Sequence, residues 1–199
     1  DDNLNMIEEI IKYADGTEDK TIYKYTYDAQ NRILIKTQMN GAEQVVSVFE
    51  YKYDASGNKV EEIEKKSGNA IQSRKTFKYE NSLISEAILY KADGEVSSTT
   101  TYIYDAKSNP LEEISVGPTG DTLRKTVIKY DEAGKKTEQL LYVSNEFPSE
   151  KIKFGPNGNR AELTIYTPEA NIMYLTKYDE YGNQIEYTIY DESNKPASR

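Results

Sequence analysis

The sequence of 199 residues contains no cysteine and no histidine. Without cysteine the chain has no disulfide, no thiolate nucleophile and no zinc–sulfur site. Without histidine it has neither a Ser-His-Asp triad nor a histidine metal site. We therefore expect no metal, no cofactor and no catalytic residues, and we interpret the protein as non-enzymatic.

Apolar residues are also scarce, at 37% of the chain, and the mean hydropathy is −0.79. Ordinary globular domains contain about 45–50% apolar residues, so this chain is too polar to cover both faces of a large sheet. No apolar run approaches the ~20 residues of a membrane-spanning helix. The net charge of −9 argues against nucleic acid and against an anionic membrane surface as partners, because positive charge recognises both.

Tyrosine is abundant, with 18 residues, and it recurs within a repeated segment. In the clearest copy, residues 51–62, Tyr51 and Tyr53 are two apart and point to one face of a strand, while Lys52 points to the other. Asp54 and Gly57-Asn58 then favour a turn. We call the last aromatic residue before such a turn the anchor. Anchors recur every 24–26 residues, at Tyr27, Tyr53, Tyr79, Tyr104, Tyr130, Phe154 and Tyr178.

A repeat of this period predicts stacked supersecondary units, here antiparallel hairpins. Asn40-Gly41 adds a two-residue hairpin signal, and Glu80-Asn81-Ser82 lacks a glycine and predicts a tighter link. For residues 4–13 a helix is the alternative to a strand. The predicted strands are 4–13, 20–27, 33–38, 45–53, 59–66, 71–79, 83–91, 96–104, 111–116, 122–130, 135–143, 150–154, 159–167, 172–178 and 184–190.

The charge pattern predicts the register of the hairpins. If Tyr53 lies opposite Val60, then Lys52 lies opposite Glu61, because antiparallel partners have a constant summed position. One face then carries opposite-charge pairs and the other carries aromatic–aliphatic pairs. The same offset predicts the pairs Lys129–Glu138, Lys153–Glu162, Lys177–Glu186, Tyr104–Leu111 and Tyr178–Ile185.

These features predict an all-β fold: an antiparallel meander of about 15 strands built from ~25-residue hairpin repeats. Twist between neighbouring strands should curl the sheet into a half-shell or open barrel, and a flat single-layer sheet is the alternative. We expect one domain over residues 1–191 and a disordered tail over 192–199. The chain begins at Asp1, which predicts removal of an export signal and a periplasmic or cell-surface location; a trimmed chain is the alternative.

The motif Tyr-x-Tyr-Asp-x-x-Gly-Asn, complete at 51–58 and partial at 25–28, 102–109, 130–134 and 178–183, resembles the YD repeats of Rhs-type proteins and insecticidal toxin shells. In that family the resemblance implies meandering strands that spiral into a hollow container. About seven units are too few to enclose a toxin, and the self-cleaving aspartyl core of the family has no counterpart here. The chain is more similar to short secreted YD-like proteins of bacterial envelopes, a resemblance that implies export and no catalysis.

Candidate site residues come mainly from the tyrosines. Tyr90, Tyr142, Tyr166 and Tyr190 fall late in returning strands, away from the anchors, and are candidates for stacking on a sugar or a peptide. The carboxylates of Glu61-Glu62-Glu64 and Glu112-Glu113 suggest glycoside hydrolysis only remotely, because a solvated ion-pair face explains them. The turn 54–58 differs from an EF-hand, since Lys59 and Lys65 occupy positions six and twelve, where calcium loops have Gly and Glu.

The sequence thus predicts a non-catalytic, exported binding module for a glycan or a protein partner, with its ligand on a concave, tyrosine-rich face. The alternative is a structural envelope or adhesion spacer that self-associates through exposed edge strands. A glycoside hydrolase is a remote third interpretation.

Overall fold

The structure is a computed structural model that describes residues 1–144, 147–167, 172–191 and 195–198. These residues form strands and turns. The strands are β1 (Glu8–Lys12), β2 (Glu18–Tyr27), β3 (Ile33–Asn40), β4 (Val45–Tyr53), β5 (Lys59–Lys66), β6 (Ile71–Glu80), β7 (Leu83–Lys91), β8 (Val96–Tyr104), β9 (Pro110–Val116), β10 (Thr122–Tyr130), β11 (Lys136–Val143), β12 (Glu150–Phe154), β13 (Arg160–Thr167), β14 (Ile172–Tyr178), β15 (Gln184–Tyr190) and β16 (Pro196–Ser198).

The strands form an antiparallel meander in which sheet order is chain order, from β1 to β16. The predicted all-β class and hairpin repeat are confirmed, and β1 is a strand rather than the alternative helix. The expected curvature of the sheet stays a prediction. The chain divides into two compact units, Asp1–Ser98 and Thr99–Arg199, so the expected single domain over 1–191 is likewise not settled.

The predicted ion-pair register is confirmed. Lys52 lies opposite Glu61, and the same pairing joins Lys129 to Glu138, Lys153 to Glu162 and Lys177 to Glu186. We call the side of the sheet that carries these pairs the ion-pair face, and the opposite side, which carries Tyr51 and Tyr53, the tyrosine face. Period-2 alternation along each strand assigns the remaining residues to one or the other.

The predicted partners of the anchors are wrong by one residue. Tyr53 lies opposite Lys59 rather than Val60, Tyr104 opposite Pro110 rather than Leu111, and Tyr178 opposite Gln184 rather than Ile185. In each hairpin the register shifts between the anchor and the residue before it. This shift is a β-bulge: the returning strand has one extra residue opposite the anchor, so the charge pairs keep their register while the anchor pairs do not.

The bulge accompanies turns of more than one type, since the register also shifts at Tyr79, before the shorter link between β6 and β7. At residues 54–58 the Gly57 N–H donates to the Asp54 carbonyl at 3.0 Å and the Asp54 N–H donates to the Asn58 carbonyl at 2.9 Å. Gly57 has a φ of 90°. This is the three-residue loop in which a type I turn is followed by a left-handed residue.

The same three-residue loop replaces the two-residue turn predicted at Asn40-Gly41. Glu43 donates its N–H to the Asn40 carbonyl at 2.9 Å, and Glu43, not Gly41, has the positive φ of 58°. The link between β6 and β7 is tighter, as predicted, because Asn81 and Ser82 both have positive φ, which is typical of a two-residue type I′ turn.

Full burial is rare on either face. Among the described residues the buried apolar side chains are Met39, Ala87 and Ile152, and four buried threonines lie in the second unit, at 126, 164, 176 and 188. Most tyrosines are therefore half-buried, as expected for a chain with little apolar surface.

The C-terminal residues differ from the expected disordered tail. Pro196–Ser198 form β16 and pair with β15, with Pro196 opposite Tyr190. Residues 192–194 and 199 lie outside the described residues, as does all of the turn predicted at 168–171 and residues 145–146 of the turn predicted at 145–148. Within the described ranges there is no helix that could cross a membrane.

Candidate ligand-binding surface

The four candidate tyrosines lie on the ion-pair face, opposite the anchors. Tyr142 follows Glu138 by four residues on β11, and Tyr90, Tyr166 and Tyr190 follow Glu86, Glu162 and Glu186 by the same interval. An even interval within a strand keeps both side chains on one face. The spacing Glu-x-x-x-Tyr is the sequence signal that places these tyrosines beside the ion pairs rather than on the expected concave tyrosine face.

Three of the four are brought together in the second unit. Tyr166 lies opposite Met173, and Met173 lies opposite Tyr190. On the other side, the Tyr166 N–H donates to the Ser149 carbonyl at 2.9 Å, which aligns Tyr166 with the start of β12 and the end of β11. We define the tyrosine row as Tyr142, Tyr166, Met173 and Tyr190.

The geometry of the sheet sets the spacing of this row. Tyr142, Tyr166 and Tyr190 lie on β11, β13 and β15, so the backbone positions of successive tyrosines are two strand spacings apart, about 9.4–9.8 Å. A neighbouring strand contributes Met173, a soft apolar side chain, between the second and third rings. Lys125 lies opposite Tyr142 at the end of the row.

The hydroxyls of the row differ from those of the anchors. Tyr130, an anchor of the same unit, donates its hydroxyl to the Pro110 carbonyl at 3.0 Å. Within the described ranges no side-chain hydrogen bond involves the hydroxyl of Tyr142, Tyr166 or Tyr190. These three side chains are half-buried, so the sheet covers part of each ring. The hydroxyl of each remains available to a ligand.

A ladder of alternating charges runs beside the tyrosine row. Lys129 and Glu138 are 2.7 Å apart, Lys153 and Glu162 are 2.7 Å apart, and Lys177 and Glu186 are 3.0 Å apart. Glu138 also lies opposite Lys153, and Glu162 opposite Lys177, which makes the ladder continuous from β10 to β15. We call these six residues the charge ladder.

Electrostatics favour the charged forms of Glu138, Lys129 and Lys153 in the ladder. Hydrogen bonds from Lys129 and Lys151 lower the pKa of Glu138, outweighing the opposing effect of burial. Conversely, Glu138 raises the pKa of Lys129, and Glu162 raises the pKa of Lys153. The ladder therefore offers ammonium donors and carboxylate acceptors in equal number, close to the tyrosine row and with little net charge.

Tyr90 belongs to the first unit and has a different environment. It lies opposite Arg74, whose guanidinium is 5.0 Å from the centre of the ring. Arg74 is itself bound by Glu61 at 2.5 Å, and Glu61 also pairs with Lys52. The guanidinium of Arg74 thus covers one face of the Tyr90 ring in a cation–π contact, and that face is not free for a ligand.

Three of the five carboxylates considered for hydrolysis, Glu61, Glu62 and Glu112, are engaged in ion pairs. Burial tends to raise the pKa of Glu61, but hydrogen bonds from Lys52 and Arg74 lower it overall. Glu62 is 2.6 Å from Lys59, and Glu112 is 3.2 Å from Lys125. The lowered pKa of Glu61 is the opposite of what a general acid requires. In the part of the chain that the structure describes, no cluster of acidic residues is arranged to hold a metal ion.

The sequence did not indicate the cations on the tyrosine face. Lys36 lies 4.6 Å from the centre of the Tyr23 ring and 5.7 Å from that of Phe49. Lys59 lies 5.2 Å from both Tyr51 and Phe77. The bulge causes the second case, because it brings Lys59 rather than Val60 opposite the anchor. These lysines fill the spaces between rings, so this face is internally satisfied and less suited to a ligand.

Comparisons with known proteins identify no family for this chain. No family model matches the chain, and no curated protein matches it. Among solved structures, the crystal structure of a porin-like protein from Bacteroides uniformis ATCC 8492 aligns with 92% of this chain and 94% of its own, at a TM-score of 0.47 and 11% identity. The crystal structure of TcdB2-TccC3-TEV aligns with 90% of this chain at a TM-score of 0.30 and 12% identity, and the aligned part is 14% of that chain.

Proposed function

We propose that the protein is a non-catalytic binding module that holds an uncharged glycan chain across the tyrosine row of the second unit. The observation that carries this proposal is the spacing of three tyrosine rings, two strands apart, whose hydroxyls have no partner within the described ranges. Sugar rings present apolar faces that stack on aromatic rings, and their hydroxyls bind the polar groups alongside. An interval of about 9.4–9.8 Å between rings is comparable with the length of a disaccharide unit.

The charge ladder supports a neutral ligand over an ionic one. Its three lysines and three glutamates are paired with one another, so an anion or a cation would meet opposite and like charges at similar distances. Sugar hydroxyls both donate and accept, and can bind a carboxylate and the neighbouring ammonium at the same time. The net charge of −9 further disfavours acidic glycans.

An exported location and kinship with YD-repeat proteins belong to the same proposal. They are supported by the Tyr-x-Tyr-Asp-x-x-Gly-Asn motif at 51–58 and its partial copies, and by the hairpin that this motif forms. Glycans of the cell envelope or of the surroundings would then be the available ligands. A structural spacer role remains the second candidate, favoured by the exposed side chains of β1.

The test is a titration of the purified protein with neutral oligosaccharides of different linkage, followed by calorimetry or by chemical shifts. For a sugar that binds, Tyr166→Ala should weaken affinity at least about fivefold, because stacking on one ring is worth on the order of 1 kcal/mol or more. Tyr181→Ala is the matched control, since Tyr181 is 81% exposed in a turn and lies outside the row. Equal losses in both variants, or no binding across the panel, would overturn the proposal.

A further inference from the structure

The outer edge of β1 is self-complementary. β1 pairs on one side with β2, with Ile10 opposite Lys20 and Glu8 opposite Ile22. The Ile7 carbonyl accepts from the Tyr23 N–H at 2.9 Å, and the Tyr13 N–H donates to the Thr17 carbonyl at 2.9 Å. Odd-numbered residues of this segment therefore direct their backbone groups to β2. By alternation, Glu8, Ile10 and Lys12 direct theirs to the free edge.

We infer that two copies of this chain associate through β1, antiparallel and with a two-fold axis at Ile10. In this register Ile10 lies opposite Ile10 of the second copy, and Glu8 lies opposite Lys12 on both sides of the axis. Glu8, Ile10 and Lys12 then each lie opposite a residue of the second copy whose backbone groups also point to the shared edge. Each of these pairs can exchange two backbone hydrogen bonds. Shifting the axis to Glu9 or Ile11 loses at least one such pair and separates the charges.

The charges of β1 match those found inside the sheet. Glu8 forms an ion pair of 2.7 Å with Lys20, which lies diagonally across from it on β2. Within the described ranges Lys12 makes no ion pair. A second copy would give Glu8 a directly opposite lysine in addition to the diagonal one. Glu138 has this same arrangement, with Lys129 directly opposite and Lys151 diagonal at 2.9 Å.

The apolar side chains of β1 are exposed and would be covered. Ile10 is 44% exposed and Ile11 is 48% exposed, although both belong to a strand. Ile10 would pack on its own counterpart on the ion-pair face, and Ile11 on Glu9 of the other copy. A five-residue strand provides a small contact, so the dimer should be weak and in exchange with monomer.

A charge exchange tests the register directly. Wild-type protein should show concentration-dependent dimers in sedimentation experiments. Lys12→Glu places Glu8 opposite a glutamate, and Glu8→Lys places two lysines opposite each other, so each variant alone should dissociate at least about tenfold more readily. Mixed in equal amounts, the two variants restore both opposite-charge pairs, and a heterodimer should form.

Two further variants separate association from folding. Ile10→Pro removes an N–H that points to the free edge, so it should abolish the dimer while the β1–β2 pairing and the circular dichroism spectrum remain. Lys24→Glu, on the exposed surface of β2, should leave association unchanged. Wild-type protein that stays monomeric at millimolar concentration, or dimers that persist in both single charge variants, would overturn the inference.

Discussion

The hydroxyl of Tyr53 donates a hydrogen bond of 2.9 Å to the main-chain carbonyl of Ile33, the residue opposite the preceding anchor, Tyr27. The same relationship recurs in the next repeat, where Tyr79 donates to the carbonyl of Lys59, opposite Tyr53, at 2.8 Å. In the second unit Tyr130 donates to Pro110, opposite Tyr104. Each of these three anchors thus ties its own hairpin to the hairpin before it, at the bulge. The anchor Phe154 keeps the ring without a hydroxyl.

Removing this hydroxyl should destabilise the fold. Tyr53→Phe keeps the ring but leaves the Ile33 carbonyl without its donor, and should cost about 0.5–1.5 kcal/mol of unfolding free energy. Tyr142→Phe is the matched control, because its hydroxyl has no hydrogen-bond partner in the described part of the chain. Urea unfolding measures both changes. Equal stability of Tyr53→Phe and wild type would refute the structural role of the anchor hydroxyl.

A glycine in place of Glu43 should stabilise the turn between β3 and β4. Glu43 has a φ of 58° at the loop position that Gly57 occupies in the next hairpin, and a side chain in the left-handed region costs about 1–2 kcal/mol. Glu43→Gly should therefore stabilise the protein, by somewhat less than that amount because glycine also makes the unfolded chain more flexible.

The reciprocal change supplies the control for the turn. Gly134 has a φ of 81° and open space around it, so Gly134→Ala adds backbone strain without a clash and should destabilise by on the order of 1 kcal/mol. Thermal melts of both variants give the comparison. A melting temperature that falls in Glu43→Gly would show that this loop does not have the conformation described.

Glu61 should be more important for stability than either of its cationic partners. It is buried and pairs with both Lys52 and Arg74, whereas Lys52 is largely exposed. Glu61→Ala removes both charged hydrogen bonds and should cost about 1–3 kcal/mol. Lys52→Ala removes one exposed partner and should cost less than about 1 kcal/mol. Denaturant unfolding that gives equal losses would contradict the bridging role.

Stability should fall in acid because turn carboxylates are hydrogen-bonded in the folded state. The side-chain amides and N–H groups of Asn58 and Asn109 lower the pKa of Asp54 and Asp105 below its ordinary value of 3.8. A lowered folded-state pKa stabilises the protein fully above the unfolded value, and this contribution is lost as pH falls through the folded-state pKa.

The pH prediction has a direct control. Asp54→Asn keeps a turn-forming side chain but cannot titrate, so its unfolding free energy should depend less on pH below about 4 than that of wild type. The two proteins should also differ most near neutral pH. Identical acid profiles would contradict the assignment of Asp54 as a source of acid sensitivity.

The sequence predicted the architecture because its signals are local and repeated. Alternation around Tyr51-Lys52-Tyr53, with glutamates at the matching offset, determined the ion-pair register at Lys52–Glu61. The register of such a hairpin is tightly specified, because a shift of one residue would move every lysine and glutamate of the strand to the tyrosine face.

The sequence could not predict where the register shifts. The bulge is present beside the three-residue loops and beside the two-residue turn at Asn81-Ser82 alike, so the turn sequence does not signal it. Asn40-Gly41 moreover has the same composition as a true two-residue turn. The location of the tyrosine row was available from the Glu-x-x-x-Tyr interval. Its assembly was available too, since Tyr142, Tyr166 and Tyr190 recur every 24 residues, the period of the later hairpins. The interval did not indicate Met173 between the second and third tyrosines.

Chain-length dependence of glycan affinity tests the central proposal most directly. Tyr142 and Tyr190 are four strand spacings apart, about 19 Å, so an oligosaccharide can contact all three rings only when it is long enough to span the row. For a sugar that binds, calorimetry should show affinity that rises with each added unit and then levels off once the row is spanned. In Tyr190→Ala the plateau should come at a shorter length. Affinity that is independent of ligand length, or a plateau that Tyr190→Ala does not shorten, would contradict the account.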